Sequence, residues 1–206
     1  MDGLRLALLI FFHPADAFRR IQKDRDRFDY RPTVLILFLL VVVRISYIFM
    51  CHYPLADLLP RDTNIFLEMV KMLVPLITWA VACYAVTAII GGSSLMRETL
   101  MAFSYCMLPY LVFILPLAAL SHGLSISAIG LYKTLQSIIW IWVGLLFIIS
   151  IKVMNDYTLL QTLWICFLGI ITVLLIWAAF LLVTVLTGQL VDFIRGIGVE
   201  LKMFRR

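Results

Sequence analysis

Residues 159–187 read LLQTLWICFLGIITVLLIWAAFLLVTVLT, a stretch without a charged side chain. A helix needs about 20 apolar residues to cross a hydrocarbon core roughly 30 Å thick. This stretch is therefore long enough to span a membrane, and it must tilt or project beyond the bilayer. Four further apolar stretches of sufficient length precede it, at residues 33–52, 66–90, 99–120 and 132–153. We predict an all-α membrane protein built as a bundle of five transmembrane helices.

The composition supports this class. Of 206 residues, 64% are hydrophobic and only 14% are charged, and the mean hydropathy is +1.05. A soluble domain of this size would expose far too much apolar surface. The four cysteines have no metal-ligand spacing, and they lie inside predicted spans. We therefore expect neither a disulfide framework nor a cysteine metal site.

The first 31 residues form a basic leader. Seven Lys and Arg residues fall within it, in a chain of formal net charge +5. Positive residues beside the first span predict a cytoplasmic N-terminus. Pro14 suits the first turn of a helix, in which we expect Phe18 and Ile21 to face the bilayer. Such a basic amphipathic segment is typical of helices that lie on anionic membranes. The predicted membrane-surface basic residues are Arg19, Arg20, Lys23 and Arg27.

In the last 18 residues, after Gly188, apolar side chains recur at helical spacing. We predict a second interfacial amphipathic helix here, on the opposite surface, with this face buried in lipid or against a partner. The chain thus divides into a leader (1–31), a five-span domain (32–188) and a tail (189–206). The predicted interaction face of the tail consists of Leu190, Ile194, Ile197, Leu201 and Phe204.

Three charged residues lie within the first two spans. Arg44 falls roughly 18 Å past Pro32 at 1.5 Å per residue, and an unpaired charge at such a depth is costly. Glu68 and Lys71 open the second span near the same face, so we predict that Arg44 pairs with Glu68 inside the bundle. A structural salt bridge is one interpretation of these charges, and a substrate or ion site is the other.

Nothing in the sequence predicts catalysis. The histidines, His13, His52 and His122, all lie near span ends and form no HExxH motif. No serine has a nucleophile-elbow context. Glu68 and Glu98 open the second and third spans from opposite ends, too far apart to share acid–base chemistry. We therefore predict no catalytic, cofactor or metal residues and no enzymatic activity. We also expect no nucleic-acid binding, since four aspartates dilute the charge of the leader.

Four short segments, taken together, point to a family. They are residues 13–18 (HPADAF), the Gly91-Gly92 turn leading through Glu98 into 102–109 (AFSYCMLP), residues 155–158 (NDYT) followed by Gln161-Thr162, and residues 189–194 (QLVDFI). In this order and spacing the chain resembles a bacterial member of the Yip family, the Ypt-interacting, five-span membrane proteins.

The resemblance implies five helices, a cytoplasmic N-terminus, a place in the bacterial plasma membrane and no known enzymatic activity. Eukaryotic members of the family act in vesicle trafficking by binding prenylated Rab-type GTPases and one another. Some bacterial members are expected beside carbohydrate transporter genes, which implies an accessory role.

Two functional hypotheses follow. The first is a membrane scaffold or accessory subunit, whose partners would be membrane lipids and an integral membrane protein, either a transporter subunit or a second copy of the chain. The alternative is a small transporter or channel, in which Pro75 and Pro109 would break helices around a site near the middle of the membrane.

Overall fold

A computed structural model describes residues 3–23, 30–51 and 63–204, and every regular element in these ranges is helical. Five helical segments are long and apolar enough to cross a membrane, so the predicted all-α, five-span class is confirmed. The elements are α1 (Gly3–Phe12), α2 (Pro14–Lys23), α3 (Arg31–Met50), α4 (Ile65–Ile90), α5 (Met96–Cys106), α6 (Leu108–Leu120), α7 (Ile129–Met154) and α8 (Leu159–Phe204). Two 3-10 turns, Ser121–Gly123 and Ile126–Ala128, connect α6 to α7.

Local chemistry fixes the two ends of α4. At its start the Asn64 side chain accepts a hydrogen bond from the backbone N–H of Phe66 at 3.0 Å, which satisfies a donor that the first turn leaves free. At its end Gly91 adopts a φ of 86°, a left-handed conformation that costs glycine little. The chain therefore turns sharply here and enters the third span.

The third span is interrupted near its middle. Helix α5 ends at Cys106 and α6 begins at Leu108, with Pro109 in the first turn of α6. Proline has no backbone N–H to donate to the preceding turn and its ring crowds that turn, which favours an interruption at this point. Pro75, in contrast, lies inside the unbroken helix α4. The segment remains the most deeply packed of the five, with 67% of its most apolar window buried.

The bundle has two ends, which we define by their turns. The leader face carries the turns at residues 91–95 and 155–158, and Tyr30, whose ring centre lies 5.6 Å from the Arg97 guanidinium. The opposite face carries Cys51, residues 63–64 and the 3-10 turns before α7. His122 of this face contacts the Met50 carbonyl oxygen through Nε2 at 2.8 Å.

The leader is inserted beside α7. At one end, Gln22 Nε2 donates to the Met154 carbonyl oxygen at 3.2 Å. At the other, the Phe11 ring centre lies 5.9 Å from that of Trp142, twelve residues or about 18 Å along α7 from Met154. Helix α2 therefore follows the last turns of α7, and the inner end of the leader is level with the middle of the fourth span.

This placement corrects one sequence prediction. Phe18 and Ile21 are 0% and 1% exposed, so the prediction that they face the bilayer is wrong. They belong instead to the main hydrophobic cluster of the bundle. The error has a physical cause, since an amphipathic pattern shows which face is apolar but not whether lipid or protein covers it.

Helix α8 extends far beyond its contacts with the bundle. It runs unbroken for 46 residues, so no interruption marks the predicted boundary at residue 188. The buried side of its first turns packs against α4. At this contact a Cβ added to Gly169 would lie 3.5 Å from Cys83 Sγ. From Trp177 to Phe193 every side chain is exposed. The second half of α8 therefore packs against none of the other helices that the structure describes.

Replacing Phe18 by Ala should lower the free energy of unfolding by about 3 kcal/mol or more, because removal of a fully buried aromatic ring leaves a cavity. Phe12→Ala is the matched control, since Phe12 is 78% exposed and its loss should have little effect. Thermal unfolding of both variants in the same detergent makes the comparison. Equally small losses would show that α2 does not pack this face against the bundle.

Candidate functional sites

The three charged residues of the first two spans meet near the opposite face. Arg44 Nη2 lies 2.8 Å from Glu68 Oε2, and Arg44 Nε donates to the same oxygen at 3.1 Å. The other carboxylate oxygen, Oε1, accepts from Lys71 Nζ at 2.8 Å. The predicted Arg44–Glu68 pair is therefore present, and Lys71 completes a cluster in which each carboxylate oxygen has its own cation.

Burial within this cluster is uneven. The Glu68 side chain is 3% exposed, against 24% for Arg44 and 57% for Lys71. The cost of burying the carboxylate is thus offset by two cations that both reach toward the surface of the bundle. Arg44 also lies over the Tyr47 ring, 5.7 Å from its centre, a position in which the ring face attracts the cation.

A hydrogen-bonded group of side chains adjoins the cluster on α3. The hydroxyls of Tyr47 and Tyr132 are 2.9 Å apart, and Cys51 Sγ lies 3.3 Å from the Tyr132 hydroxyl. Tyr47 and Cys51 follow Arg44 by three and seven residues, so the three share one side of the helix. This i, i+3, i+7 spacing is the sequence signal from which the network could have been predicted, although our predicted sites did not include it.

A second polar site, which we call the junction, lies at the leader face. It consists of Gln22, Ser93, Ser94 and the turn 154–156. Gln22 Nε2 donates to Asp156 Oδ2 at 2.8 Å, Ser93 Oγ donates to the Met154 carbonyl at 3.3 Å, and the Ser94 N–H donates to Asn155 Oδ1 at 3.2 Å. The junction thus joins the leader, the turn after α4 and the end of α7.

The junction is closely packed around Gly92. A Cβ at this position would lie 2.6 Å from Asn155 Oδ1 and 2.7 Å from the Tyr157 hydroxyl, so any larger residue requires these two side chains to move away. Burial raises the pKa of the Tyr157 phenol. Two of the four segments behind the family resemblance, at 91–92 and at 155–158, are in contact here.

Glu98 acts at the start of α5, away from the charge cluster. Its Oε2 accepts a hydrogen bond from the Leu95 N–H at 3.0 Å, which satisfies one of the donors that the first helical turn leaves free. The acidic side chain also suits the positive end of the helix dipole. Glu98 therefore stabilises a helix end at the leader face, while Glu68 lies near the other face.

The basic residues of the leader line a cleft. Arg19, Arg20 and Lys23 are exposed and border a cleft of about 450 Å³ together with Leu9, His13 and Asp16. Arg27, predicted to belong to the same surface, lies outside the described residues. Among the described side chains, Arg19, Arg20 and Lys23 form no ion pair. This cleft spans the break between α1 and α2 at His13.

The predicted tail face is described only in part. Leu190 is 59% exposed, and the backbone of the other four positions is helical to Phe204. The side chains of Ile194, Ile197, Leu201 and Phe204 lie outside the described residues. Their burial in lipid or against a partner therefore stays a prediction.

In the described ranges, no group of three or more His, Cys, Asp or Glu side chains could hold a metal ion. Comparison of the chain with protein-family models, with curated proteins and with solved structures found no match. The sites must therefore be interpreted from their own chemistry.

The geometry predicts an order of stability for the charge cluster. Glu68→Gln should lower the free energy of unfolding most, on the order of 3 kcal/mol, because it leaves two neighbouring cations without a carboxylate. Arg44→Ala should cost less, since Lys71 Nζ remains 2.8 Å from Oε1. Lys71→Ala should cost least, because its side chain is more than half exposed.

Chemical unfolding of the three variants in one detergent measures this order. The double variant Arg44→Ala/Glu68→Gln is the control, since it removes the pair together and should cost less than the sum of the single changes. Strictly additive losses, or equal losses for Arg44→Ala and Glu68→Gln, would contradict the shared-carboxylate arrangement.

Proposed function

We propose that the chain is a non-enzymatic scaffold or accessory subunit of a complex in the bacterial plasma membrane, with its N-terminus cytoplasmic and a Yip-type organisation. Its partner in this proposal is another integral membrane protein. One observation carries the proposal, namely the second half of α8, where every side chain from Trp177 to Phe193 is exposed. In an apolar 18-residue segment of each of the other four spans, 33–67% of the residues are buried, against 11% in such a segment of the last span.

The length of α8 favours a protein partner over lipid alone. The uncharged stretch 159–187 would be roughly 44 Å long as a helix. To fit it within a hydrocarbon core of roughly 30 Å, the helix must tilt by about 47°, beyond the 0–40° found for membrane helices. Part of its exposed apolar surface is thus left beyond the lipid tails. A neighbouring helix would cover that surface.

The charge cluster supports a structural role over an ion pathway. Both oxygens of Glu68 are already bonded to cations of the same chain, and the carboxylate is buried. Intramembrane charges that serve transport instead line a water-filled cavity or a proton relay. In the scaffold proposal, the ion pairs of Glu68 with Arg44 and Lys71 serve to hold α3 against α4.

The interrupted third span favours the alternative, a small transporter or channel. Helix ends that meet inside a membrane bind substrates or ions in many transporters, and α5 and α6 meet at Met107. Solute or ion flux into liposomes that contain the purified chain tests this alternative. Flux above that of empty liposomes would favour it, and flux equal to theirs would remove it.

A bulky substitution on α8 tests the scaffold proposal. Ala179 is exposed in the second half of α8, and Ala119 is also exposed, on α6. After purification in mild detergent, the unaltered chain should carry a stoichiometric membrane-protein partner or a second copy of itself. Ala179→Trp should lose that partner because the ring would prevent close helix packing, while Ala119→Trp should retain it.

Cross-linking in intact membranes before extraction, followed by mass measurement, reads out the complex and identifies the partner. Retention of the partner by Ala179→Trp, or its loss from both variants, would contradict the role of α8. A chain that stays monomeric and alone in membranes would contradict the scaffold function itself.

A further inference from the structure

We propose that the cleft of the leader binds the phosphate headgroup of an anionic phospholipid from the leaflet at the leader face. The cleft is about 450 Å³ in volume and, among the described residues, is lined by three cations, one carboxylate, one histidine and one leucine. Guanidinium groups present paired N–H donors that match two phosphate oxygens. Two adjacent arginines with a lysine therefore form a site suited to phosphate.

The cations are available to a ligand. Arg19, Arg20 and Lys23 make no ion pair with any described residue, in contrast to Arg44 and Lys71, which share Glu68. Asp16 is the single carboxylate of the described lining, so the described part of the cleft carries a net positive charge. The opposite side of α2, with Ala17, Phe18 and Ile21, is buried in the bundle, which holds the cations in place.

The order of the lining residues along the leader matches the shape of a phospholipid. Lys23 lies one residue after Gln22, whose side chain contacts the end of α7. Measured from Lys23 along the leader toward the middle of the membrane, at 1.5 Å per residue, Arg20 and Arg19 lie about 4–6 Å deeper and His13 about 15 Å deeper. Apolar Leu9 lines the inner end of the cleft. The positive charge is thus at the surface and the apolar wall lies below it.

The leader also places this cleft against lipid. Leu8 and Phe12 of α1 are 56% and 78% exposed, and the neighbouring Phe11 reaches the level of the middle of α7. Acyl chains can therefore lie along exposed apolar side chains while the headgroup occupies the cleft. A free phosphate ion would use the cations but gain nothing from this apolar wall, so the geometry favours a lipid.

Asp16 restricts where the phosphate can lie. A phosphate beside this carboxylate would be repelled, so the phosphate is expected nearer the surface, between Arg19, Arg20 and Lys23. A headgroup hydroxyl can instead donate a hydrogen bond to Asp16. The lining is therefore best suited to an anionic phospholipid whose headgroup carries hydroxyl groups, such as phosphatidylglycerol.

Native mass spectrometry of the full-length protein in a neutral detergent tests the site. Phosphatidylglycerol should bind the unaltered protein one to one and more tightly than phosphatidylcholine. The double variant Arg19→Gln/Arg20→Gln should weaken this binding roughly thirtyfold, since each cation near an anionic lipid contributes about fivefold. Arg31→Gln/Arg97→Gln is the matched control, because both arginines are exposed at the leader face but do not line the cleft.

Each outcome decides the proposal. Retained binding in the control with loss in the cleft variant supports it, and equal loss in both would show diffuse attraction by the charged face. Equal affinity for phosphatidylcholine would overturn the preference for an anionic lipid. Displacement of the lipid by millimolar inorganic phosphate would overturn it in favour of a small-anion site. Thermal unfolding of both double variants checks that the fold is kept.

Discussion

The arrangement of the leader face depends on the turn that follows α7. Within three residues, the Met154 carbonyl, the Asn155 amide and the Asp156 carboxylate receive hydrogen bonds from the leader and from the turn after α4. Asp156 has a φ of 54°, a strained conformation that persists only where surrounding contacts determine it. The two bonds from Gln22 connect segments more than 130 residues apart in sequence, and the two from Ser93 and Ser94 connect segments 61 residues apart.

From this turn the positions of the leader and the last span follow. Gln22 holds the end of α2 at the turn, so the apolar side of α2 lies along α7 and its basic side is left exposed. The same turn reverses the chain into α8, which meets α4 through its first turns and then leaves the bundle. One small polar site thus orients both the leader cleft and the exposed helix that we assign to a partner.

Much of the fold could be predicted because membrane spans are determined by length and composition. The Arg44–Glu68 pair was also predictable, since a charge in a span needs a partner and the second span begins near the same face. The Gln22–Asp156 contact was not, because no local pattern relates residues so distant in sequence. The burial of Phe18 was missed since protein and lipid are alike apolar. Gly188 indicated an end to the last span, yet α8 continues through it because one glycine costs a helix only about 1 kcal/mol.

The central claim is that the leader is part of the bundle and is held there by the turn after α7. Cross-linking of Gln22→Cys with Asp156→Cys by a short bifunctional thiol reagent in native membranes tests it most directly, because Gln22 Nε2 lies 2.8 Å from Asp156 Oδ2. The reagent bridges the gap that replacing these two longer side chains by cysteine leaves, so we expect efficient cross-linking of this pair. Pairing Gln22→Cys with Thr63→Cys, at the opposite face, should give none. Absence of a cross-link between positions 22 and 156, in a protein that folds normally, would contradict the account.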